Sequence, residues 1–242
     1  MHHSLFPLLL TAALLPVASQ ARVCLPGYQD DDTRFVSELI DTAEGKLQVV
    51  NDKATGLQWL YCPYGQQVSD NGSGCEGMPE VINSRANPSD NPLMTIIMQA
   101  NDRLNTAAHP WRAPDIKELF TLYNPQCQPG TYSAVGFPDP QLAADTETLK
   151  QRACEARYDP VTNEYIEPTE EQAQACNKLT QQSYALTMLQ FISDSSSGDG
   201  YNYLQFEPSH EVFNEGGYSA PMLRLVRPIP TTVNDAVLAR GG

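Results

Sequence analysis

After an apolar leader, the chain begins and ends with short apolar runs bounded by turn residues, and apolar residues at helical spacing lie between them. Short runs of this kind, rich in β-branched and aromatic residues, predict β-strands. The segment Asp52–Gly56 is a typical turn, because Gly56 can adopt a positive φ. The predicted strands are residues 34–40, 46–51, 57–61, 185–193, 201–207 and 222–227.

Two segments between these strands predict helices. In residues 91–104, five apolar side chains recur at helical spacing and form one buried stripe, and Asn91 is the expected N-cap. A second helix is expected from Asp115 to about Tyr123, because Asp115 and Glu118 have the spacing of a capping box. The order of strands, two helices and further strands predicts the α+β class.

Residues 139–180 differ in composition from the rest of the chain. They contain few large apolar residues, and residues 139–178 carry nine acidic and four basic side chains. We interpret this segment as an inserted pair of helices, the second beginning near Thr169. The two helices are expected to be joined by a turn-rich connection at Tyr158–Ile166.

The first 21 residues read as a secretory signal peptide. The apolar run Leu5–Leu15 is too short to span a bilayer, and small residues precede a cleavage site after Ala21. A buried N-terminal helix is the alternative. We therefore expect an exported protein, periplasmic, extracellular or on the cell surface, with one domain at 22–227 and a tail at 228–242. No second apolar stretch is long enough for stable membrane insertion.

All six cysteines follow the leader. An even number of cysteines in an exported chain predicts three disulfides, which have about 15 possible pairings, and the absence of C-x-x-C argues against a metal site. One pair closes a short glycine-rich loop that lacks packing residues, a second pair lies within the insert, and the third follows by elimination. The preferred pairs are Cys62–Cys75, Cys154–Cys176 and Cys24–Cys127.

The formal net charge is −14, and the leader contributes no charged side chain to it. Such a field repels nucleic acid, anionic lipid and sulfated polysaccharide. The chain has no basic cluster that would reverse this repulsion locally. We therefore expect no nucleic-acid partner.

Several short motifs follow one another in a fixed order. They comprise residues 33–35, 50–52 with 55–59, the loop containing Cys62, Gly65-Gln66, Cys75 and Gly77, then 111–119, 124–127 with 136–138, and finally 203–206 and 223–227. In this order they resemble the DUF1566 family, also called the Legionella collagen-like protein C-terminal domain. The likeness spans about 33–137 and 185–227. Phe191–Asp194 departs from the family's usual YWSS, and the acidic insert splits the domain.

The resemblance implies a C-type-lectin-like α+β fold, with a mixed sheet, two helices, long loops and, here, a helical acidic insert. It also implies an exported or surface protein with a role in adhesion or glycan binding. The segment 111–119 has a structural interpretation as well. Trp111 would pack in the core, Arg112 would pair with a carboxylate or cover a carbonyl, and Glu118 would cap a helix.

The polar segment 194–200 is the candidate binding loop. Its carboxylates and hydroxyls are oxygen ligands of the kind that Ca²⁺ prefers, although the spacing is not that of an EF-hand, and a solvated loop is the alternative. Aromatic residues beside such a loop are typical of glycan-stacking sites. The candidate binding residues are Asp194, Ser196, Asp199, Tyr201, Tyr203 and Arg112, with Asp194 and Asp199 as the calcium candidates. No other cofactor or metal is expected.

No motif typical of a hydrolase or metalloprotease occurs, and six disulfide-bonded cysteines would leave no reactive thiolate. We therefore expect a binding domain and not an enzyme. Its partner would be a glycan or an envelope protein, and the net charge favours a neutral glycan, a protein or a contact bridged by a cation. The alternative is an accessory component of an envelope assembly that docks through the acidic insert.

Overall fold

The computed structural model describes residues 23–29, 33–70, 72, 74–83, 90, 92–104, 109–128, 130–155, 157–159, 161, 164–197, 200–207, 212–213 and 220–230. The predicted signal peptide, the N-cap Asn91, the calcium candidate Asp199 and most of the predicted tail lie outside these residues. The described part is a mixed α+β fold with four helices and several small antiparallel sheets.

The largest sheet is antiparallel and consists of β2 (Phe35–Thr42), β3 (Gly45–Asp52), β4 (Leu57–Leu60) and β13 (Val226–Pro228). Their spatial order is β13-β4-β3-β2. Its hairpin turns at Gly45 and Gly56 have φ values of +116° and +72°, which glycine adopts without strain. Strand β13 comes from the last third of the domain and β2 to β4 from the first third, so this sheet joins the two terminal thirds of the domain.

A second, three-stranded antiparallel sheet consists of β10 (Gln190–Ser197), β11 (Gly200–Gln205) and β12 (Val212–Phe213). The other sheets are two-stranded. They pair β1 (Val23–Cys24) with β7 (Cys127–Gln128), β5 (Gln67–Val68) with β6 (Cys75–Glu76), and β8 (Arg157–Asp159) with β9 (Glu164–Ile166). The helices are α1 (Pro92–Leu104), α2 (Ile116–Phe120), α3 (Pro140–Cys154) and α4 (Glu170–Thr187).

Hydrophobic side chains bury both faces of the large sheet at β3 and β4, whereas β2 is mostly exposed. Val49 and Val50 are adjacent and fully buried, yet they belong to different core clusters, because successive side chains of a strand point to opposite faces. The cluster around Val50 includes Trp59, and the cluster around Val49 includes Trp111 and the buried face of α1.

Three disulfides join the chain: Cys24–Cys127, Cys62–Cys75 and Cys154–Cys176. These are the pairs that the sequence analysis preferred. Disulfides persist in oxidising compartments, so they indicate an extracellular or periplasmic environment. Within the described ranges, no helix has the length and apolar character needed to cross a bilayer.

Three local predictions were wrong. Residues 185–187 are the last turn of α4, because Ala185 and Leu186 pack in the core and this burial outweighs their strand-like pattern. The connection at 158–166 contains the hairpin β8–β9, and not only turns. Residues 194–197 of the candidate binding loop are the end of β10, and Ser196 and Ser197 pair with β11.

Candidate functional site

The predicted binding residues Arg112 and Asp194 lie close together. The backbone N–H of Asp194 donates to the carbonyl oxygen of Pro114 at 2.9 Å, which places β10 beside the segment that leads into α2. Arg112 donates to both carboxylate oxygens of Glu118, at 2.7 and 2.6 Å. Glu118 also completes the capping box of α2 with Asp115. The structural interpretation of this segment accounts for these contacts, with Trp111 only 1% exposed.

The surroundings of Asp194 are rich in carboxylates. Burial raises the pKa of Asp194, the Arg112 guanidinium opposes this shift, and the nearby charges of Asp115 and Glu118 add to it. Within the described part of the chain, no group of three or more His, Cys, Asp or Glu side chains is arranged to hold a metal ion. The second calcium candidate, Asp199, lies outside that part.

The two candidate stacking residues lie in the interior. Tyr201 is 5% exposed and Tyr203 is 3% exposed, so neither ring offers a face to a ligand in solution. The structure corrects the expected role, because packing of β11 against the rest of the domain buries both side chains. Ser196 is exposed and pairs with Tyr201 across the hairpin.

A concavity lies away from the predicted binding residues, and we call it the hairpin groove. It has a volume of about 650 Å³ and is lined by the end of the β2–β3 hairpin, by the loop that the Cys62–Cys75 disulfide closes, and by the last turn of α1. None of the predicted binding residues lines it. This volume is within the range of about 300–1,000 Å³ that is usual for ligand pockets.

Three glutamines line the hairpin groove, and each uses its amide nitrogen within the protein. Gln48 Nε2 donates to Ser37 Oγ at 2.9 Å, and Gln66 Nε2 donates to the carbonyl oxygen of Gly77 at 2.7 Å. Gln67 Nε2 contacts Glu76 at 3.5 Å. The amide oxygens are therefore the groups that remain to accept hydrogen bonds from a ligand. Gln66 Oε1 is buried and accepts no hydrogen bond from any described residue.

Three of the four charged side chains that line the hairpin groove form ion pairs. Arg103 donates to both carboxylate oxygens of Glu44, at 2.8 and 3.0 Å, and this hydrogen bonding lowers the pKa of Glu44. Lys46 pairs with Asp41 at 2.9 Å. Arg103 also donates to the hydroxyl of Tyr64 at 3.2 Å, so one guanidinium fixes both an acid and an aromatic ring. The lining thus presents acceptors, and Glu76 is its one charged side chain without an ion pair among the described residues.

The wall that carries Gln66 is held in place by the core. Tyr64 N–H donates to the Leu223 carbonyl at 2.8 Å, and Glu80 N–H donates to the Tyr64 carbonyl at 2.7 Å. Gly65 has a φ of +92°, and a Cβ there would lie only 2.8 Å from the Glu80 nitrogen. The close approach of these backbones requires glycine and keeps the wall preorganised.

A smaller concavity, the insert-tip cavity, lies between the end of α3, strand β9 and the start of α4. Its volume is about 300 Å³, and both cysteines of the Cys154–Cys176 disulfide line it.

No pattern in the sequence predicted the hairpin groove as a site. Gln66 was part of a motif used for the family resemblance, but nothing in the one-dimensional pattern joins it to Gln48 and Arg103. Comparison of the chain with family models, with curated proteins and with solved structures found no match. The likeness to the DUF1566 family therefore stays a prediction.

Proposed function

We propose that this protein is an exported, disulfide-stabilised binding domain that recognises a neutral glycan at the cell envelope or surface, and that the hairpin groove is its binding face. The observation that carries the proposal is the buried, unpaired acceptor Gln66 Oε1 in the lining of that groove. A buried acceptor without a partner costs roughly 1–3 kcal/mol, so a ligand hydroxyl that donates to it, once the Gln66 side chain turns toward the groove, recovers this cost.

The composition of the lining argues for a hydroxyl-rich ligand. Sugar hydroxyls donate hydrogen bonds, and the groove offers glutamine oxygens whose amide nitrogens are already used. Exposed apolar surface lies at its rim, where Leu39 is 62% exposed, and apolar surface packs well against the C–H face of a sugar ring.

Charge argues for a neutral ligand. The chain carries a net charge of −14, and Arg103 and Lys46 in the groove are committed to Glu44 and Asp41. An anionic glycan would have to break one of these pairs against a repulsive field. A neutral glycan avoids both costs.

The wider architecture is part of the proposal. We propose a C-type-lectin-like arrangement, supported by the α+β composition and by a sheet that joins β13 to β4. Three disulfides and the predicted leader support export. We further propose that the protein binds its ligand without thiol catalysis, since its cysteines are all oxidised.

A glycan array probed with the mature protein, with and without EDTA, tests this function. We expect saturable binding to neutral glycans in both conditions. The variant Gln66→Leu should weaken that binding by about threefold to tenfold, the range of one hydrogen bond. Gln99→Leu, on the exposed face of α1, is the matched control and should bind as the wild type does.

Gln66→Leu also removes the hydrogen bond to Gly77. The variant Gln48→Leu, at another position in the lining, therefore provides a second test. Thermal melting of each variant checks that it is folded. Absence of neutral-glycan binding, or equal binding by both groove variants and the control, would overturn the proposal. Glycan binding that is lost only when EDTA is present would show that a bound cation makes the contact instead of the glutamine oxygen.

A further inference from the structure

The acidic insert is anchored in the core at its base. In α4, Ala185 and Leu186 are 0% and 3% exposed. In α3, Leu142 and Ala143 pack against the core cluster around Val50. Ser183 Oγ donates to Glu147 Oε2 at 2.7 Å and joins the two helices near this base. The insert is therefore a fixed part of the domain, which allows its far end to present a defined surface.

That far end, residues 152–177, is called the insert tip. It exposes large apolar side chains: Val161 is 90% exposed, Tyr165 51% and Ile166 47%. Tyr165 and Ile166 also line the insert-tip cavity of about 300 Å³, together with Pro168 and Ala173. Exposure of these side chains to water contributes nothing to folding, and rimmed apolar surfaces of this kind mark interaction sites.

The Cys154–Cys176 disulfide fixes this surface. It links the last residue of α3 to α4 beside the cavity. A disulfide that closes a loop of this length stabilises by roughly 3 kcal/mol in the chain-entropy model. Because the base of the insert is already packed in the core, the crosslink at the tip serves to preorganise the exposed apolar side chains.

Charge identifies the kind of partner. Among the insert-tip residues whose side chains the structure describes, four are acidic and one is basic, a net charge of −3: Glu155, Glu167, Glu170, Glu171 and Arg152. We infer that the insert tip docks a cationic protein segment, which places one large apolar side chain in the cavity and Lys or Arg side chains beside the surrounding acids. Anionic lipid and anionic protein surfaces are excluded by the same charge.

Binding of three synthetic peptides to the mature protein tests this inference. The peptides share a central pair of Leu residues and differ in their flanks, which are Lys, Ser or Glu. We expect the Lys-flanked peptide to bind saturably and to weaken as salt is raised, and the Glu-flanked peptide not to bind. Failure of the Lys-flanked peptide to bind, or equal binding of all three, would overturn the inference.

Two variants locate the site. The double substitution Tyr165→Ser with Ile166→Ser should weaken the Lys-flanked peptide by about tenfold, a loss of about 1.4 kcal/mol. The double substitution Glu155→Gln with Glu167→Gln should reduce the salt dependence of Lys-flanked peptide binding. Met94→Ser with Met98→Ser removes exposed apolar surface from α1 and is the matched control, because these residues are 53% and 61% exposed. An equal effect of the control would contradict the assignment to the insert tip.

Glycan binding by the hairpin groove provides an independent readout. It should be unchanged in all the insert-tip variants, which also shows that they are folded. Binding of the wild type to zwitterionic vesicles in place of the peptide would identify the apolar surface as a lipid contact and would overturn the inference.

Discussion

Gln66 donates its amide nitrogen to the carbonyl oxygen of Gly77 at 2.7 Å, and this single hydrogen bond decides which end of the amide is left for a ligand. A carbonyl can only accept, so the amide nitrogen must face Gly77 and the oxygen must face away from it. Gln66 Oε1 is consequently an oriented acceptor, buried in the wall of the groove. The recognition that we propose rests on this orientation.

The close backbone contact at Gly65 predicts a difference between two glycines of the same loop. Gly65→Ala should destabilise the protein by about 1–3 kcal/mol, because the residue has a φ of +92° and its new Cβ would meet the Glu80 nitrogen at 2.8 Å. Gly72→Ala should cost only about 1 kcal/mol, since Gly72 has a φ of +71° but no atom within 4 Å of the new Cβ. Urea unfolding of both variants measures the difference, and equal losses would argue against a rigid groove wall.

Arg224 is expected to be essential for folding and not for binding. It is fully buried, and its guanidinium donates to the carbonyl oxygens of Leu60, Tyr61 and Gly136. Burial lowers the pKa of Arg224. Arg224→Met should destabilise by about 3–5 kcal/mol, because it leaves these carbonyls without donors.

Arg103→Met is the exposed counterpart and should cost less than about 1 kcal/mol, the range of a surface ion pair. Chemical denaturation of both variants compares them directly. A loss at Arg224 as small as that at Arg103 would show that the buried carbonyls find other donors.

Much of the fold followed from the sequence, and the site did not. Strands β2 to β4, helix α1, the capping box at Asp115 and the start of α4 near Thr169 were predicted from local signals, since caps and turns depend on neighbouring residues. The extension of α4 depends on core contacts of Leu186 that local propensity does not report. The hairpin groove joins three distant segments, so only the fold brings its side chains together.

Tyr201 and Tyr203 illustrate the same limit at the level of single residues. Their position after a polar segment is compatible with a surface platform and with a buried strand. Only the tertiary packing of β11 distinguishes the two, and it places both rings in the interior.

The surroundings of Asp194 predict a pH-dependent stability difference. The folded state raises the pKa of Asp194, chiefly through burial, above the value of about 3.9 expected when unfolded. This residue therefore contributes stability below that value and loses the contribution as pH rises through the folded pKa. Asp194→Asn should stabilise the protein slightly at pH 7, by less than about 1 kcal/mol, because Asp194 is only partly removed from water and solvent screens the effect.

The measurement is the difference in melting temperature between wild type and Asp194→Asn across the acidic and neutral range. The difference should vanish at low pH, where the wild-type carboxyl is protonated. A variant that is less stable at neutral pH would mean that the attraction of Arg112 outweighs burial.

The Cys62–Cys75 and Cys154–Cys176 disulfides should differ in their effect on glycan binding. Cys62 and Cys75 are 6% and 0% exposed and hold the groove wall, so replacing both with Ala should cost roughly 3 kcal/mol and abolish glycan binding. Replacing Cys154 and Cys176 with Ala should cost a similar free energy and leave glycan binding intact, because that bond lies at the insert tip. Unfolding curves and glycan titrations of the two double variants test the separation. Loss of glycan binding in both would indicate that neither site is independent.

The central claim is that an oriented glutamine oxygen in the hairpin groove recognises a neutral glycan. Isothermal titration of the best array ligand into wild type, Gln66→Leu and Gln99→Leu tests it most directly. The account predicts a loss of about threefold to tenfold in affinity for Gln66→Leu alone, with a folded variant and no change for Gln99→Leu. Unchanged affinity of folded Gln66→Leu for the glycan would contradict it.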